Sequence, residues 1–186
     1  MNEEQIIEAA KNGDRRAMAQ LVKSYEKTIY NFAFKICRSP ERAENIMQET
    51  FLSMVKSLNQ FDGKSKLSTW LYRIVANHCL MEVRKNRHQF VSIDDDEDGY
   101  YDNNFAGDWN LEPQNVTENE ELKQILDEAI TKLSPEYRVV FLLRDVEGLS
   151  TEETGKITEL SVPAVKSRLH RARAFLRKEI NEAFKR

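Results

Sequence analysis

Residues 147–177 read Glu-Gly-Leu-Ser-Thr-Glu-Glu-Thr-Gly-Lys-Ile-Thr-Glu-Leu-Ser-Val-Pro-Ala-Val-Lys-Ser-Arg-Leu-His-Arg-Ala-Arg-Ala-Phe-Leu-Arg, and few folds accommodate that order. Ser150 to Glu153 matches a capping box, in which the two side chains each satisfy an orphan N–H of a helix's first turn. The helix it opens is short and ends near Thr158. Glu159, Leu160 and Ser161 follow as a tight turn, and Ser161 caps a last helix running to about Phe184. Val165, Leu169, Ala172 and Leu176 lie on one stripe of that helix and must pack inward. Lys166, Ser167, His170 and Arg171 share the opposite face, and Arg168 and Arg173 add to its cations. Two short helices so joined form a helix-turn-helix. Its second helix suits the major groove of duplex DNA, where Arg and Lys bond guanine edges and Ser and further Arg groups bond phosphate. A charged helix face alone is usually just solvated. The capped helix and tight turn before it are what favour DNA here.

The net charge of −3 looks wrong for such a protein until its distribution is read. Ile93–Glu121 holds eleven acids and no Lys or Arg, so that segment carries −11 and the remainder +8. Asymmetry of this kind speaks of partners rather than of fold. Gly (6) and Pro (4) are scarce, which disfavours an all-β fold rich in tight turns. No apolar run is long enough to span a bilayer, and the acidic start Met-Asn-Glu-Glu-Gln is unlike a signal peptide. Cys37 and Cys79 form no C-x-x-C pair and read as inert buried thiols of a reduced, cytoplasmic protein, with a sensor thiol as the lesser alternative. With His78 and His88 they lack ligand spacing, so no metal site and no cofactor is expected.

The periodicity predicts an all-α chain of two small helical domains joined by a long acidic linker. In the first, residues 1–89, a short helix spans Glu3–Lys11 and Asp14 caps a second with Ala17, Leu21, Tyr25, Ile29, Phe32 and Ile36 at helical spacing. Ser39 and Pro40 open a third as N-cap and first helical residue. Its inward set is Ala43, Ile46, Met47, Thr50, Phe51, Met54, Val55 and Leu58. A polar loop with Gly63 leads to a fourth helix near Ser68, with Trp70, Leu71, Ile74, Val75, Leu80 and Val83 apolar. Residues 90–116 show no sustained period and read as the linker, with Tyr100, Tyr101, Phe105 and Trp109 as its stray aromatics. The second domain, 117–186, opens with a helix bearing Leu122, Ile125, Leu126, Ala129 and Leu133. Ser134-Pro135 then starts a helix with Val139, Val140, Leu142 and Leu143 that stops at Gly148.

In the first domain Phe61, Trp70 and Tyr72 stand near Lys64, Lys66, Arg73, Arg84, Lys85 and Arg87. Aromatics beside cations suit unstacked single-stranded bases, although Trp70 at helical spacing with Ile74 also suits a core. Glu41, Glu44, Gln48 and Glu49 make an acidic stripe around Phe51, either solvated or a docking face for a basic partner.

These segments resemble a known family. Ala43-Glu-Asn-Ile-Met-Gln-Glu-Thr-Phe51, Phe61-Asp-Gly-Lys and Ser68-Thr-Trp-Leu-Tyr-Arg-Ile-Val-Ala-Asn77 are similar to region 2 of bacterial sigma factors of the extracytoplasmic-function group. Leu133-Ser-Pro-Glu-Tyr-Arg-Val-Val-Phe, Gly148-Leu-Ser and Val165-Lys-Ser-Arg-Leu-His-Arg-Ala-Arg173 are similar to region 4. The resemblance implies a non-enzymatic initiation factor that binds core RNA polymerase and promoter DNA. Glu44, Asn45, Gln48, Glu49 and Phe51 would dock on the β′ clamp helices, and the polymerase's β flap would be a further contact. Phe61, Lys64, Ser65, Lys66, Trp70, Asn77, Arg84 and Arg87 would handle the melted −10 element. Lys166, Ser167, Arg168, His170, Arg171 and Arg173 would read the −35 element. The linker's acids would mimic nucleic acid toward the RNA exit path, and an anti-sigma factor would hold the protein inactive. Three positions depart from the pattern. Asn45 stands where Asp is usual. Glu159 stands where Gly is frequent in the turn. Thr154-Gly155 replaces an apolar-Ala pair, which implies a looser supporting helix. The rival readings are a stand-alone helix-turn-helix regulator with an N-terminal sensing or dimerisation domain, and a helical adaptor with an incidental basic tail.

Overall fold

A computed structural model describes residues 2–85 and 120–185, and the elements among them are helical. In the first lobe α1 spans Glu3–Lys11, α2 Arg15–Cys37, α3 Pro40–Ser57 and α4 Leu67–Lys85. Each start has its chemical reason. Asn2 and Gln5 form a capping box on α1. Asp14 accepts from the N–H groups of Arg16 and Ala17 on α2. Ser39 accepts from Arg42 N–H on α3, with Pro40 in the first turn, where its missing N–H costs nothing. Between α2 and α3, Arg38 takes a left-handed conformation (φ 54°) that stops one helix and turns the chain into the next.

The long helix α2 is the spine, and α1, α3 and α4 pack against it. Leu21, Ile29, Phe32, Ile36, Met54, Leu58 and Leu71 are almost wholly buried between them. Each such side chain stabilises the lobe by about 1.5–3 kcal/mol relative to exposure. The expected inward set of α3 holds except at Val55, which is 54 % exposed. Ala43, Ile46, Thr50 and Met54 take the packing stripe, so Val55 falls beside Gln48 and Leu52, at i, i+4 and i+7 along the outer face.

In the second lobe α5 spans Glu120–Lys132, α6 Pro135–Phe141, α7 Thr151–Thr158 and α8 Val162–Ala183. Ser134 holds the N-cap position of α6 with extended backbone, yet its hydroxyl makes no capping bond. Helix α6 widens into a π turn at Leu142–Val146 and closes at Gly148, whose φ is +69°. Leu133, Val139, Val140, Leu143, Ile157, Val165 and Leu176 form this lobe's buried centre.

The lobes touch along a seam in which α4 meets α6 and α7, and α2 meets α6. Arg138 of α6 organises it. The residue is 3 % exposed, and its guanidinium donates to the carbonyls of Ile130 (2.9 Å), Thr131 (2.5 Å), Leu133 (2.6 Å) and, across the seam, Ile36. Burial, then the nearby Arg38, pull its pKa down to about 10. Arg38 itself grips Asp127 through two nitrogens, and Tyr72 donates to the Glu147 carboxylate at 2.6 Å. Burial together with that bond pushes the Tyr72 phenol well up. The expected linker, 90–116, and Arg87 lie outside the described residues, and Arg84 is described for its backbone alone.

Candidate nucleic-acid interface

The helix-turn-helix is built as its capping residues dictate. Ser150 accepts from Glu153 N–H at 3.1 Å and Glu153 accepts from Ser150 N–H at 2.8 Å. The Ser150 N–H, then the Ser150 hydroxyl, hold the Glu153 carboxyl below its usual range. Glu159 ends α7 in the left-handed conformation (φ 59°, ψ 34°), and Leu160 N–H returns to Gly155 O at 3.0 Å. The turn therefore folds tightly back on α7. A Cβ at Gly155 would lie 2.7 Å from Leu160 O, inside contact distance. The Gly155 departure thus has a function opposite to the expected loosening, because only a residue without a side chain lets this turn close. Its neighbour Thr154 is fully buried, with a hydroxyl that has no hydrogen-bond partner.

Ser161 caps α8, and Val165, Leu169, Ala172 and Leu176 clamp it to the lobe. Lys166, Ser167, His170 and Arg171 are all exposed on its outer face. Arg171 also donates to the Tyr137 hydroxyl at 3.4 Å, whereas Arg168 and Arg173 are less exposed than these four. Arg168 is half-buried, 5.8 Å from the Tyr137 ring centroid and 4.0 Å from Glu136. Arg173 is held through two nitrogens by Asp145 at 2.8 and 2.7 Å, which raises its pKa further.

In the first lobe the candidates separate by burial. Phe61 is only 5 % exposed and packs on Trp70 with ring centroids 5.7 Å apart, so its ring is a core group rather than a surface platform. Its carbonyl accepts from Lys11 Nζ at 2.7 Å, a bond that anchors the following loop to α1. Phe51 is likewise buried at 8 %. The apolar area of a phenyl ring outweighs any surface role at both positions. Lys64, Ser65 and Lys66 are exposed on the loop. Gly63 supplies its left-handed turn (φ +72°), and Asp62 accepts from Lys64 N–H at 3.1 Å. That bond, then the Lys64 ammonium, lower the Asp62 pKa. Beside the loop a cleft of about 510 Å³ opens toward α1, with Ser65 and Lys66 on one wall and Glu4 and Glu8 on the other. Trp70 and Asn77 are half-buried on α4.

Glu44, Asn45, Gln48 and Glu49 are exposed on α3. Leu52, 52 % exposed, and Val55 continue their row as large apolar groups without cover. The polar stripe points at this face, and the i+4 step from Gln48 leads to Leu52. Among the described residues, no cluster of three His, Cys, Asp or Glu side chains could hold a metal, and no helix is long and apolar enough to cross a membrane.

A helix-turn-helix with an exposed cationic helix face, joined to a helical lobe with an exposed polar and apolar row on α3, fits the class of two-part DNA-binding factors. Comparison with known proteins narrows the class. Residues 21–89 match Sigma-70 region 2 and residues 123–176 match Sigma-70, region 4. The chain is 32 % identical to the ECF RNA polymerase sigma factor SigW of Bacillus subtilis, over 95 % of each chain. It is 28 % identical to the ECF RNA polymerase sigma-E factor of Escherichia coli K12, over 100 % of this chain and 98 % of that one. Two solved structures share the fold. CnrH, in complex with the cytosolic domain of CnrY, matches at a TM-score of 0.63 and 22 % identity over 97 % of each chain. The sigma factor RpoE of Bartonella quintana, in complex with the anti-sigma factor NepR, matches at 0.62 and 21 %, over 88 % of this chain and 96 % of that one. The chain belongs to the extracytoplasmic-function sigma factors of the sigma-70 family. Its work is promoter-specific initiation of transcription.

Proposed function

We propose that the lobes divide the work of initiation among three surfaces. The outer face of α8 reads the −35 element, with Lys166 and Arg171 bonding base edges and Ser167 and His170 supporting them. Arg168 and Arg173, engaged within the lobe, fix the helix's position and meet the phosphate backbone. The observation that carries this is the joint exposure of four polar or cationic side chains on a helix whose other face is clamped by Val165, Leu169, Ala172 and Leu176. A well-placed bidentate contact discriminates against the wrong base by about 1–3 kcal/mol.

The loop bearing Lys64, Ser65 and Lys66, together with Trp70 and Asn77, captures melted −10 bases, and Arg84 and Arg87 hold the backbone. The exposed half of Trp70 offers a stacking face worth about 1–3 kcal/mol per base. Phe61 serves by supporting Trp70. The α3 row, Glu44, Asn45, Gln48 and Glu49 with Leu52 and Val55, docks on the β′ clamp helices of core polymerase, and the second lobe on the β flap. Boundaries at 1–89, 90–116 and 117–186 follow from this division. The protein works in the cytoplasm, uses binding energy without covalent chemistry, and is held inactive by an anti-sigma factor.

Run-off transcription with core polymerase on a genomic promoter library tests the reading. Start sites that depend on the folded, inhibitor-free protein are expected. If there are none, or if the chain alone binds duplex DNA as tightly as the holoenzyme does, the reading fails.

A further inference from the structure

The two cysteines expected to be inert are neighbours. Cys37, the last residue of α2, and Cys79, midway along α4, come from positions 42 residues apart in sequence, yet their sulfurs are 3.2 Å apart. We propose that Cys37 and Cys79 form a peroxide-oxidisable dithiol, with Cys37 as the attacking thiol and Cys79 as the resolving one.

Their environments differ in the way such a pair requires. Cys37 is half-buried and reachable from solvent, whereas Cys79 is 1 % exposed. The two sulfurs share a hydrogen bond that either can donate; that bond comes first, and Arg42 and Arg138 place positive charge nearby. Together they lower the Cys37 pKa against the pull of burial and Glu82. Cys79 shifts the opposite way, through its bond to Cys37 and through burial. The C-terminus of α2 is the unfavourable pole for a thiolate, and the two guanidinium groups offset it. A thiolate of lowered pKa with a solvent path and a second sulfur at contact distance is the arrangement that oxidises to a disulfide rather than to higher oxides.

The chemistry balances with hydrogen peroxide as oxidant. The Cys37 thiolate attacks one peroxide oxygen, an S–O bond forms, the O–O bond breaks, and the departing hydroxide takes a proton to become water. Cys79, deprotonated as it attacks, then forms the S–S bond and displaces hydroxide from the sulfenic sulfur, releasing a second water. Two thiols lose two electrons and peroxide gains them. Closure draws the sulfurs from 3.2 Å to about 2.0 Å, a small approach of α4 to the last turn of α2. The product staples these helices directly beneath the seam, since Ile36 O and Arg38 on either side of Cys37 carry the contacts to Arg138 and Asp127.

The test exposes the reduced full-length chain to hydrogen peroxide, alkylates it under denaturing conditions and digests it for mass spectrometry. The expected result is a monomer lacking both alkylatable thiols, containing a Cys37–Cys79 linked peptide, and restored by dithiothreitol. Its melting temperature should rise by roughly 5–10 °C from closing the loop. With Cys79→Ser, dimedone should trap a sulfenic acid at Cys37. With Cys37→Ser, Cys79 should stay alkylatable. The wild-type arm stands even where a serine variant fails to fold. Both thiols surviving exposures that consume free glutathione would overturn the proposal. So would linkage only between chains, oxidation of Cys79 ahead of Cys37, or a lowered melting temperature.

Discussion

The two surfaces we propose for nucleic acid are built in opposite ways. Helix α8 presents Lys166, Ser167, His170 and Arg171 on one rigid face, with its packing residues wholly on the other. The first lobe gathers its candidates from a loop, a half-buried tryptophan and a half-buried asparagine, with Phe61 withdrawn into the core. The difference matches the substrates we assign to them. Duplex DNA has a fixed groove, and a preformed helix meets it without reordering. A melted base has no fixed position, and an adjustable loop beside an aromatic face can take it as it comes.

The sharpest way to break this contrast is to remove what joins the surfaces. Arg138→Met leaves carbonyls of Ile130, Thr131, Leu133 and Ile36 without their buried donor. A loss of about 3–5 kcal/mol in urea unfolding is expected. A loss below 1 kcal/mol would mean the lobes do not share this anchor in solution.

The contrast in DNA contacts comes next. Lys166→Ala with Arg171→Ala should lower −35-dependent initiation by roughly 100-fold, while gel-shift affinity for core polymerase stays unchanged. Equal loss in both measurements would refute the division of labour. On the first lobe, Gln48→Ala with Leu52→Ala should weaken core polymerase binding by about tenfold, the effect of one lost contact patch near 1.4 kcal/mol. An altered promoter preference at unchanged affinity would show the docking face to be misplaced.

The smallest effects probe how rigid the reading helix is. Glu159→Gly should stabilise the chain by about 1 kcal/mol by relieving a left-handed non-glycine residue. Gly155→Ala should cost about 1 kcal/mol or more, because its methyl meets Leu160 O at 2.7 Å. Thermal melts of both variants read the two signs, and matching signs would deny that the tight turn depends on this pair.

Much of the molecule is legible in the sequence. The caps at Asp14, Ser39, Ser150 and Ser161 are local chemistry, each satisfied within three residues along the chain, and all four act as read. The α8 stripe is equally local, since helical periodicity alone sorts Val165 and Leu169 from Lys166 and His170. Ser134 shows the limit, because its hydroxyl makes no capping bond although the helix begins where expected.

The sequence by itself determined the helices, their order, the family and the polar face of α8, because these depend on neighbours a few residues apart. Tertiary structure alone decided that Phe51 and Phe61 are core, that Leu52 and Val55 are bare, and that Gly155 closes the turn on Leu160. It also brought Arg138 to Ile36 and Cys37 to Cys79. Those pairs stand 102 and 42 residues apart in the chain. No periodicity encodes such a distance; only the packing of one lobe's helices, and of one lobe on the other, could bring them together.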